Sequence, residues 1–180
     1  MIESIKDIDL KNIKKQNKFS IIYRNKKKLE NTTDLLNFRR FCKIKSIKFY
    51  VANNTKLAVL LNSDGLYLSA FNKSFRSLLL KKSNFKIIGS AHNLKEISLK
   101  SKQGCEMILF SKLFLVSYDK KATFLGVIRF NNYLKIFKNL IPLGGISINN
   151  LNNLNNINCQ GFALMSEVKK KPAKIFSRLL

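Results

Sequence analysis

Short apolar runs alternate with segments of helical periodicity along most of the chain, and this alternation restricts the folds open to it. Seven runs of three to five residues are typical of strands, and amphipathic segments separate them. The predicted strands are residues 19–23, 49–51, 65–68, 85–89, 107–110, 141–143 and 162–165. The predicted helices lie around residues 35–42, 57–61, 75–79, 94–99, 130–137, 151–157 and 172–180, with a cap at Thr32-Thr33-Asp34.

Strands that alternate with helices favour a parallel sheet joined by right-handed crossovers. Repeats of roughly 20 to 25 residues predict a (β/α)₈ TIM-type barrel, formed by a single domain over residues 1–180. Only about twenty residues precede the run at Ile21, which is enough for a helix but leaves little room for a strand. We therefore expect a divergent barrel whose first strand is missing or truncated, or a chain that starts late.

The formal net charge of +24 raises the question of a nucleic-acid partner. The lysines are scattered in short groups near the ends of predicted elements, which is typical of solvated helix ends and loops. The chain carries no nucleic-acid recognition motif, and its aromatic residues fall at core spacing rather than on an exposed sheet face. The sequence therefore argues against a nucleic-acid site and leaves a small anionic substrate as the alternative use of the charge.

The three cysteines, Cys42, Cys105 and Cys159, are odd in number and widely spaced. They match no zinc-binding spacing, and the single histidine, His92, does not complete one. We interpret them as buried thiols of a cytoplasmic protein. No apolar run is long enough to span a bilayer, and the N-terminus lacks a secretory pattern, so no membrane association is expected. The oligomeric state is left open by the sequence.

Two of the last apolar runs end in small residues, at Gly144-Gly145 and at Met165-Ser166. Backbone N–H groups at such strand ends suit an anion, and (β/α)₈ barrels hold phosphate in this way. The pattern predicts phosphate binding by Gly144, Gly145, Met165 and Ser166. An ordinary turn at the glycine pair is the alternative.

Six segments in order are similar to motifs of the thiamine phosphate synthase / thiazole tautomerase (TenI-like) family. Tyr23-Arg24-Asn25-Lys26 resembles its Gln-Phe-Arg-Glu-Lys strand end, and Gly89-Ser90-Ala91-His92 its Val-Ser-Ala-His strand end. Leu143-Gly144-Gly145-Ile146 resembles its Gly-Gly-Ile phosphate turn. The other three similarities lie at residues 62–68, 122–126 and 163–166. The matching residues run from Ile21 to about Lys171, which is most of the chain.

The resemblance implies a synthase that joins a pyrimidine pyrophosphate to a thiazole phosphate to give thiamine phosphate and pyrophosphate, with Mg²⁺ as cofactor. It implies that Arg24, Lys26 and Ser90 bind the substrate pyrophosphate, and it supports the phosphate-binding assignment above. Each residue also has a simpler interpretation. Arg24 and Lys26 could be solvated turn residues, Ser90 could cap a helix, and His92 could be a packing residue.

The chain departs from the family where the family holds its metal. The two carboxylates that bind Mg²⁺ in the family correspond here to Asn53 and Asn72, which bring no charge to a hard cation. The glutamine before the arginine is replaced by Ile22. In the long loop a Thr-x-Thr-Lys cluster is replaced by residues 116–119, so that Asp119 stands where the family has a cation.

Three hypotheses follow from these observations. The first is a divergent thiamine phosphate synthase with a degraded Mg²⁺ site, which needs Mg²⁺ if it is active and no cofactor otherwise. The second is a family member without synthase chemistry, either a thiazole-phosphate binder or a tautomerase that uses His92 as acid and base. The third, less favoured, is a basic nucleic-acid-binding protein.

Overall fold

The sheet of this protein consists of six parallel strands whose order along the sheet is their order along the chain. The computed structural model describes residues 1–13, 18–25, 30–80, 85–116 and 121–165. The strands are β1 (Ser20–Tyr23), β2 (Lys48–Ala52), β3 (Gly65–Leu68), β4 (Lys86–Ala91), β5 (Met107–Ser111) and β6 (Leu140–Leu143). The parallel α/β architecture and six of the seven predicted strands are confirmed.

The helices that connect the strands pack on the outside of this sheet. They are α1 (Thr32–Ile44), α2 (Thr55–Leu60), α3 (Leu94–Lys102) and α4 (Gly126–Ile136). Short 3₁₀ helices span Ile5–Asp7, Leu10–Asn12, Arg76–Leu80 and Ile148–Asn156. Within the described residues, no helix is both long and apolar enough to cross a membrane.

Four local predictions about the helices need correction or fall outside the described residues. Asn31, just before the predicted cap, caps α1 by accepting a hydrogen bond from the Thr33 amide. The segments predicted as helices at 75–79 and 151–157 are 3₁₀ rather than α. In the second of these, the Asn150 side chain accepts a hydrogen bond from the Ser147 amide (2.8 Å), the capping-box arrangement of a helix start. The predicted helix at 172–180 lies outside the described residues.

Single backbone bridges extend the sheet at both of its edges. Ile2 pairs with Tyr23 at the outer side of β1, and Ala163 pairs with Leu143 at the outer side of β6, both in the parallel sense. Among the described residues, this bridge at Ile2 is all that stands outside β1, so a truncated first strand stays a prediction. The seventh predicted strand, residues 162–165, was wrong as a full strand, since only Ala163 joins the ladder.

The two faces of the sheet bury separate apolar clusters, because successive strand residues point to opposite sides. One face forms an inner cluster of Ile22, Tyr50, Tyr67, Ile88 and Leu109. The other face packs against the helices in a larger outer cluster. Burial on both faces is what a parallel sheet requires.

The prediction of buried thiols holds for two of the three cysteines. Cys42 and Cys105 are buried and unpaired, and burial raises the pKa of each thiol to about 12. Cys159 is only half-buried, although burial raises its pKa as well. At neutral pH these groups are therefore protonated thiols, which are poor nucleophiles and poor metal ligands.

Gly65 at the start of β3 provides a test of the strand packing. A Cβ atom there would overlap the carbonyl oxygen of Lys86 in β4 and lie 2.9 Å from the Tyr50 ring. We expect Gly65→Ala to lower the free energy of unfolding by about 1–3 kcal/mol, as overpacking does. Gly161→Ala is the control, because a Cβ there has no atom within 4 Å. Equal unfolding free energies for the two variants in urea titrations would contradict this packing.

Candidate functional site

The carboxyl ends of the six strands lie at one rim of the sheet, because all the strands are parallel. Arg24 follows β1, Ser90 lies near the end of β4, and Gly144 and Gly145 follow β6 directly. Met165 comes two residues after the bridge at Ala163. The structure therefore brings most of the predicted site residues to one rim, whereas Lys26 and Ser166 lie outside the described residues.

The Gly144-Gly145 turn has a backbone that favours glycine at both positions. Their φ angles are +92° and +70°, a region that side-chain-bearing residues rarely adopt. A Cβ on Gly145 would also overlap the Phe114 carbonyl in the segment after β5. The Gly145 carbonyl accepts a hydrogen bond from the Asn150 side chain (2.8 Å). The turn therefore packs directly against the backbone at Phe114, and this contact leaves no room for a side chain at Gly145.

Asn53 and Asn72 lie in contact at the same rim. The Asn72 side-chain amide donates to the Asn53 Oδ1 atom (3.1 Å), which also accepts from the Ser69 backbone amide (3.0 Å). The Asn53 Nδ2 atom donates in turn to the Ser69 hydroxyl (3.1 Å). The two side chains therefore form a hydrogen-bonded neutral pair, which we call the amide pair.

A buried lysine holds the backbone behind the amide pair. Lys100 of α3 is fully buried, and its Nζ atom donates to the Asn72 carbonyl (2.6 Å) and to the Gln103 side chain (2.8 Å). The Gln103 amide donates to the carbonyls of Asn72 (3.0 Å) and Ser74 (2.8 Å). Burial lowers the pKa of the Lys100 amine. These bonds fix the loop after β3 to α3.

Ser90 contacts a tyrosine inside the sheet rather than a helix end. Tyr67 is almost completely buried, with 1% of its surface exposed. Burial raises the pKa of its phenol, while a hydrogen bond with Ser90 and the positive charge of Arg24 act in the opposite direction. The cap of α3 is Asn93, whose side chain accepts from the Glu96 amide (2.9 Å), so the capping interpretation of Ser90 was wrong.

His92 is exposed at the end of β4, so the packing interpretation of this residue was wrong too. Its Nδ1 atom lies 2.8 Å from the hydroxyl oxygen of Ser111, the last residue of β5. Ser111 is buried, with 7% exposed. The backbone amide of His92 donates to the Glu96 carboxylate (2.7 Å). The ring is thereby held beside the next strand end, one strand away from the Gly144-Gly145 turn.

Sequence reasoning did not find Tyr67, Ser111 or Lys100. A polar residue directly after the apolar run 107–110 was the available signal for Ser111, because strand ends in α/β sheets carry sites. Tyr67 looked like one more apolar strand residue, and Lys100 like one more exposed lysine.

Among the described residues, no group of three or more His, Cys, Asp or Glu side chains is placed to hold a metal ion. A hydrogen-bonded pair of neutral amides stands where the resemblance implies the metal carboxylates. The rim therefore offers backbone donors, neutral amides and hydroxyls rather than anionic ligands.

Comparisons with known proteins agree with this architecture. The chain is 27% identical over 144 residues to a thiamine-phosphate synthase of Prochlorococcus marinus (strain AS9601), an alignment that covers 77% of this chain. The chain spans only about 40% of the length of that relative.

Two solved structures share the fold. A thiamine phosphate pyrophosphorylase from Pyrococcus furiosus superposes with a TM-score of 0.71 over 98% of this chain and 90% of its own, at 17% identity. The citrate synthase SbnG superposes with a TM-score of 0.54 over 89% and 81% of the two chains, at 11% identity. At these identities the superpositions describe the fold alone.

A family model decides the classification. The model described as thiamine monophosphate synthase matches residues 10–168, which include all six strands and the rim residues from Arg24 to Met165. By this match, the chain belongs to the thiamine monophosphate synthase family.

Proposed function

We propose that this protein is a divergent thiamine phosphate synthase homologue that binds a small phosphorylated substrate at the rim and has lost most or all Mg²⁺-dependent transfer. The carrying observation is the amide pair, in which the Asn72 amide donates to Asn53 Oδ1 at 3.1 Å. Mg²⁺ prefers charged oxygen ligands in near-octahedral geometry. Neither side chain is charged, and one points a donor at the other, so these residues do not fit the metal.

The proposed fold for this function is a divergent (β/α)₈ barrel in which Ile2 and Ala163 stand for the first and last strands. The Met1 amine donates to the Leu164 carbonyl (2.6 Å), and this bond supports direct contact between the two edge segments. The Ile2 amide donates to Ile22 (2.9 Å) and the Ala163 amide to Pro142 (2.9 Å). Closure of this kind removes exposed sheet edges.

The phosphate of the substrate is proposed to bind at the Gly144-Gly145 turn, with Met165 and Ser166 on the adjacent segment. The support is a glycine-only backbone at the carboxyl end of β6, where barrels of this class bind phosphate. The high positive charge of the chain favours anionic ligands in general. A thiazole phosphate, rather than the pyrimidine pyrophosphate, is the substrate this turn suits.

The part of the rim that would bind pyrophosphate has fewer available binding groups. Arg24 is half-buried at the rim, Ser90 is buried beside Tyr67, and Lys26 lies outside the described residues. A pyrophosphate that needs Ser90 must reach a hydroxyl that is only 5% exposed. This arrangement supports the assignment of weak or absent pyrophosphate chemistry.

A second candidate function is proton transfer on a bound thiazole phosphate, as in a tautomerase. The observation that favours it is the 2.8 Å contact between His92 Nδ1 and the Ser111 hydroxyl. If Nδ1–H donates to the Ser111 hydroxyl, the neutral ring keeps a lone pair on Nε2. Nε2 can then accept a proton from the substrate, and the resulting imidazolium can return it, while Ser111 orients the ring through Nδ1.

Restoring carboxylates at the amide pair tests the first function. Asn53 has a φ of +56°, which aspartate tolerates as asparagine does, so Asn53→Asp with Asn72→Asp should fold. We expect the double variant to bind Mg²⁺ more tightly by calorimetry and to form more thiamine phosphate. Loss of one electrostatically stabilising group typically lowers a catalytic rate by about 10²–10³. We therefore expect the native chain to form thiamine phosphate more slowly than the double variant.

Asn62→Asp is the matched control for that experiment. Asn62 is also exposed and has a positive φ of +45°, but it lies before β3, at the other end of the strand from the rim. The same charge there should leave Mg²⁺ affinity and product formation unchanged. Turnover by the native chain of about 1 s⁻¹ or more, with no gain in the double variant, would contradict the loss of the metal site.

Gly144→Ala tests the phosphate turn. A Cβ on Gly144 lies 3.3 Å from the Lys112 backbone, so the variant crowds the turn and forces a side chain into a φ of +92°. We expect its affinity for thiazole phosphate to fall at least tenfold by calorimetry, which corresponds to about 1.4 kcal/mol. Gly126→Ala is the control, because Gly126 has a similar φ of +70° with open space around it. Equal affinities in the two folded variants would remove the turn from the site.

Ser111→Ala tests the second candidate function. Solvent deuterium incorporation into thiazole phosphate, followed by NMR across a pH series, measures the proton transfer. We expect His92→Gln to lose about 10²–10⁴ in rate, the range of general acid–base catalysis. Ser111→Ala should lose less and shift the pH profile, since it frees Nδ1. Ser98→Ala, on the exposed side of α3, should match the native profile. An unchanged profile for Ser111→Ala would exclude the orienting role.

A further inference from the structure

A cavity of about 420 Å³ runs along the inner face of the sheet, from the amino end of β1 to Leu164 in the segment after β6. It begins beside Ser20, the first residue of β1, and extends between the inner face of the sheet and the N-terminal segment. None of the described rim residues Arg24, Ser90, His92, Gly144 and Gly145 lines it. Much of its wall is formed by the side chains of Ile22, Ile88, Met107, Leu109, Ile141 and Phe162.

The cavity follows from the short edges of the sheet. On its outer side β1 is bridged at Tyr23, near its carboxyl end, by Ile2 alone among the described residues. The ladder on this side therefore does not reach the start of β1. Residues 160–162 approach from the other edge before the bridge at Ala163 and line the same space. Apolar side chains of the inner and outer clusters thus border one continuous opening.

The polar side chains of the cavity are few. Among the described lining residues they are Lys18, Ser20 and Gln160, and no Asp or Glu is present. Lys18 and Ser20 are exposed, so they mark the side that opens to solvent. The combination is an apolar chamber with the Lys18 amine on its solvent side, whereas the Met1 amine, which also belongs to the lining, is bonded to the Leu164 carbonyl (2.6 Å).

Lys18 differs from other lysines near this end of the sheet. Lys48 pairs with Asp64 (3.6 Å), and Lys86 pairs with Glu106 (3.4 Å). Lys45 donates to the carbonyl of Ile13 (3.2 Å). Within the part of the chain that the structure describes, Lys18 has no such ion pair. Its charge is available to an anion at the mouth of the cavity.

We propose that this cavity is a second binding site, for a small amphiphilic anion with a linear apolar tail and a carboxylate head. The tail occupies the apolar chamber, and the carboxylate meets Lys18 with Ser20 and Gln160 beside it. The volume falls in the range of small-molecule sites and holds about a dozen non-hydrogen atoms at roughly 30 Å³ each. A straight-chain carboxylate of about ten carbons has this size.

Titration of the folded 180-residue chain with decanoate, followed by calorimetry, tests the proposal. We expect saturable one-to-one binding with a dissociation constant below ~1 mM. Lys18→Ala should weaken it about tenfold, whereas Lys56→Ala, an exposed lysine of α2, should leave it unchanged. Decanol, which lacks the charge, should bind at least tenfold more weakly than decanoate.

Gly161→Leu provides an independent test of the chamber itself. Gly161 lines the cavity, a Cβ there meets no atom within 4 Å, and its φ is not in the left-handed region. The leucine side chain should fill the cavity, keep the thermal stability of the native chain and abolish decanoate binding. Inorganic phosphate should not compete with decanoate, so the outcome is separable from the fate of the proposed phosphate turn.

Three results would overturn the proposal. One is the absence of saturable decanoate binding. Another is an equal loss in the Lys18→Ala and Lys56→Ala variants, which would assign the binding to diffuse positive charge. The third is undiminished binding in folded Gly161→Leu, which would place the ligand outside the cavity.

Discussion

The backbone hydrogen bonds at the two edges of the sheet are the constraint on which the rest of this molecule depends. Parallel strands are stable only when both faces are covered and their edges are protected. The six strands form backbone hydrogen bonds with their neighbours in the order β1 to β6, which leaves β1 and β6 as the edge strands. Ile2 bonds to the edge at β1, and Ala163 bonds to the edge at β6. The parallel direction of the strands puts all six carboxyl ends at one rim, where the candidate site lies, and the edge bonds protect the sheet that carries it.

The polar groups at that rim are largely bonded to one another. Asn53 bonds Asn72, Ser111 contacts His92, and Ser90 lies beside the buried Tyr67. The hydroxyls of Ser90 and Ser111 are buried, and a buried polar group without a partner is costly, so their contacts stabilise the site when no ligand is bound. A ligand must therefore offer each group a better partner than the one it has. In the Gly144-Gly145 turn the positive φ angles set the shape, and the side-chain bond there runs from Asn150 to the Gly145 carbonyl.

The sequence predicted the fold better than it predicted the site. Apolar runs bounded by helical segments located all six strands, because strand formation here follows from local pattern and burial. The predicted strand at 162–165 was different, because only Ala163 pairs with β6. The number of residues in such a run that pair depends on neighbours that are distant in the sequence. The pairs Ser90–Tyr67 and His92–Ser111 depend on the register between strands, which the sequence does not display. Lys100 was missed because lysine is rarely buried. One of its partners is the backbone carbonyl of Asn72, a group that every residue has and that the sequence therefore does not single out.

The amide pair makes the order of substitutions matter for any evolutionary path that regains or loses a metal. Asn53→Asp alone leaves the Asn72 amide donating to a carboxylate, and such a charge-assisted bond is stronger than the one it replaces. Asn72→Asp alone turns a carboxylate oxygen toward Asn53 Oδ1. Two acceptor oxygens then face each other, and a cation that binds between them relieves their repulsion. The first path reinforces the closed, metal-free pair, and the second opens it. The same Asn-to-Asp change thus has opposite effects on the pair at the two positions. The reason is that Asn72 is the donor and Asn53 the acceptor of their hydrogen bond.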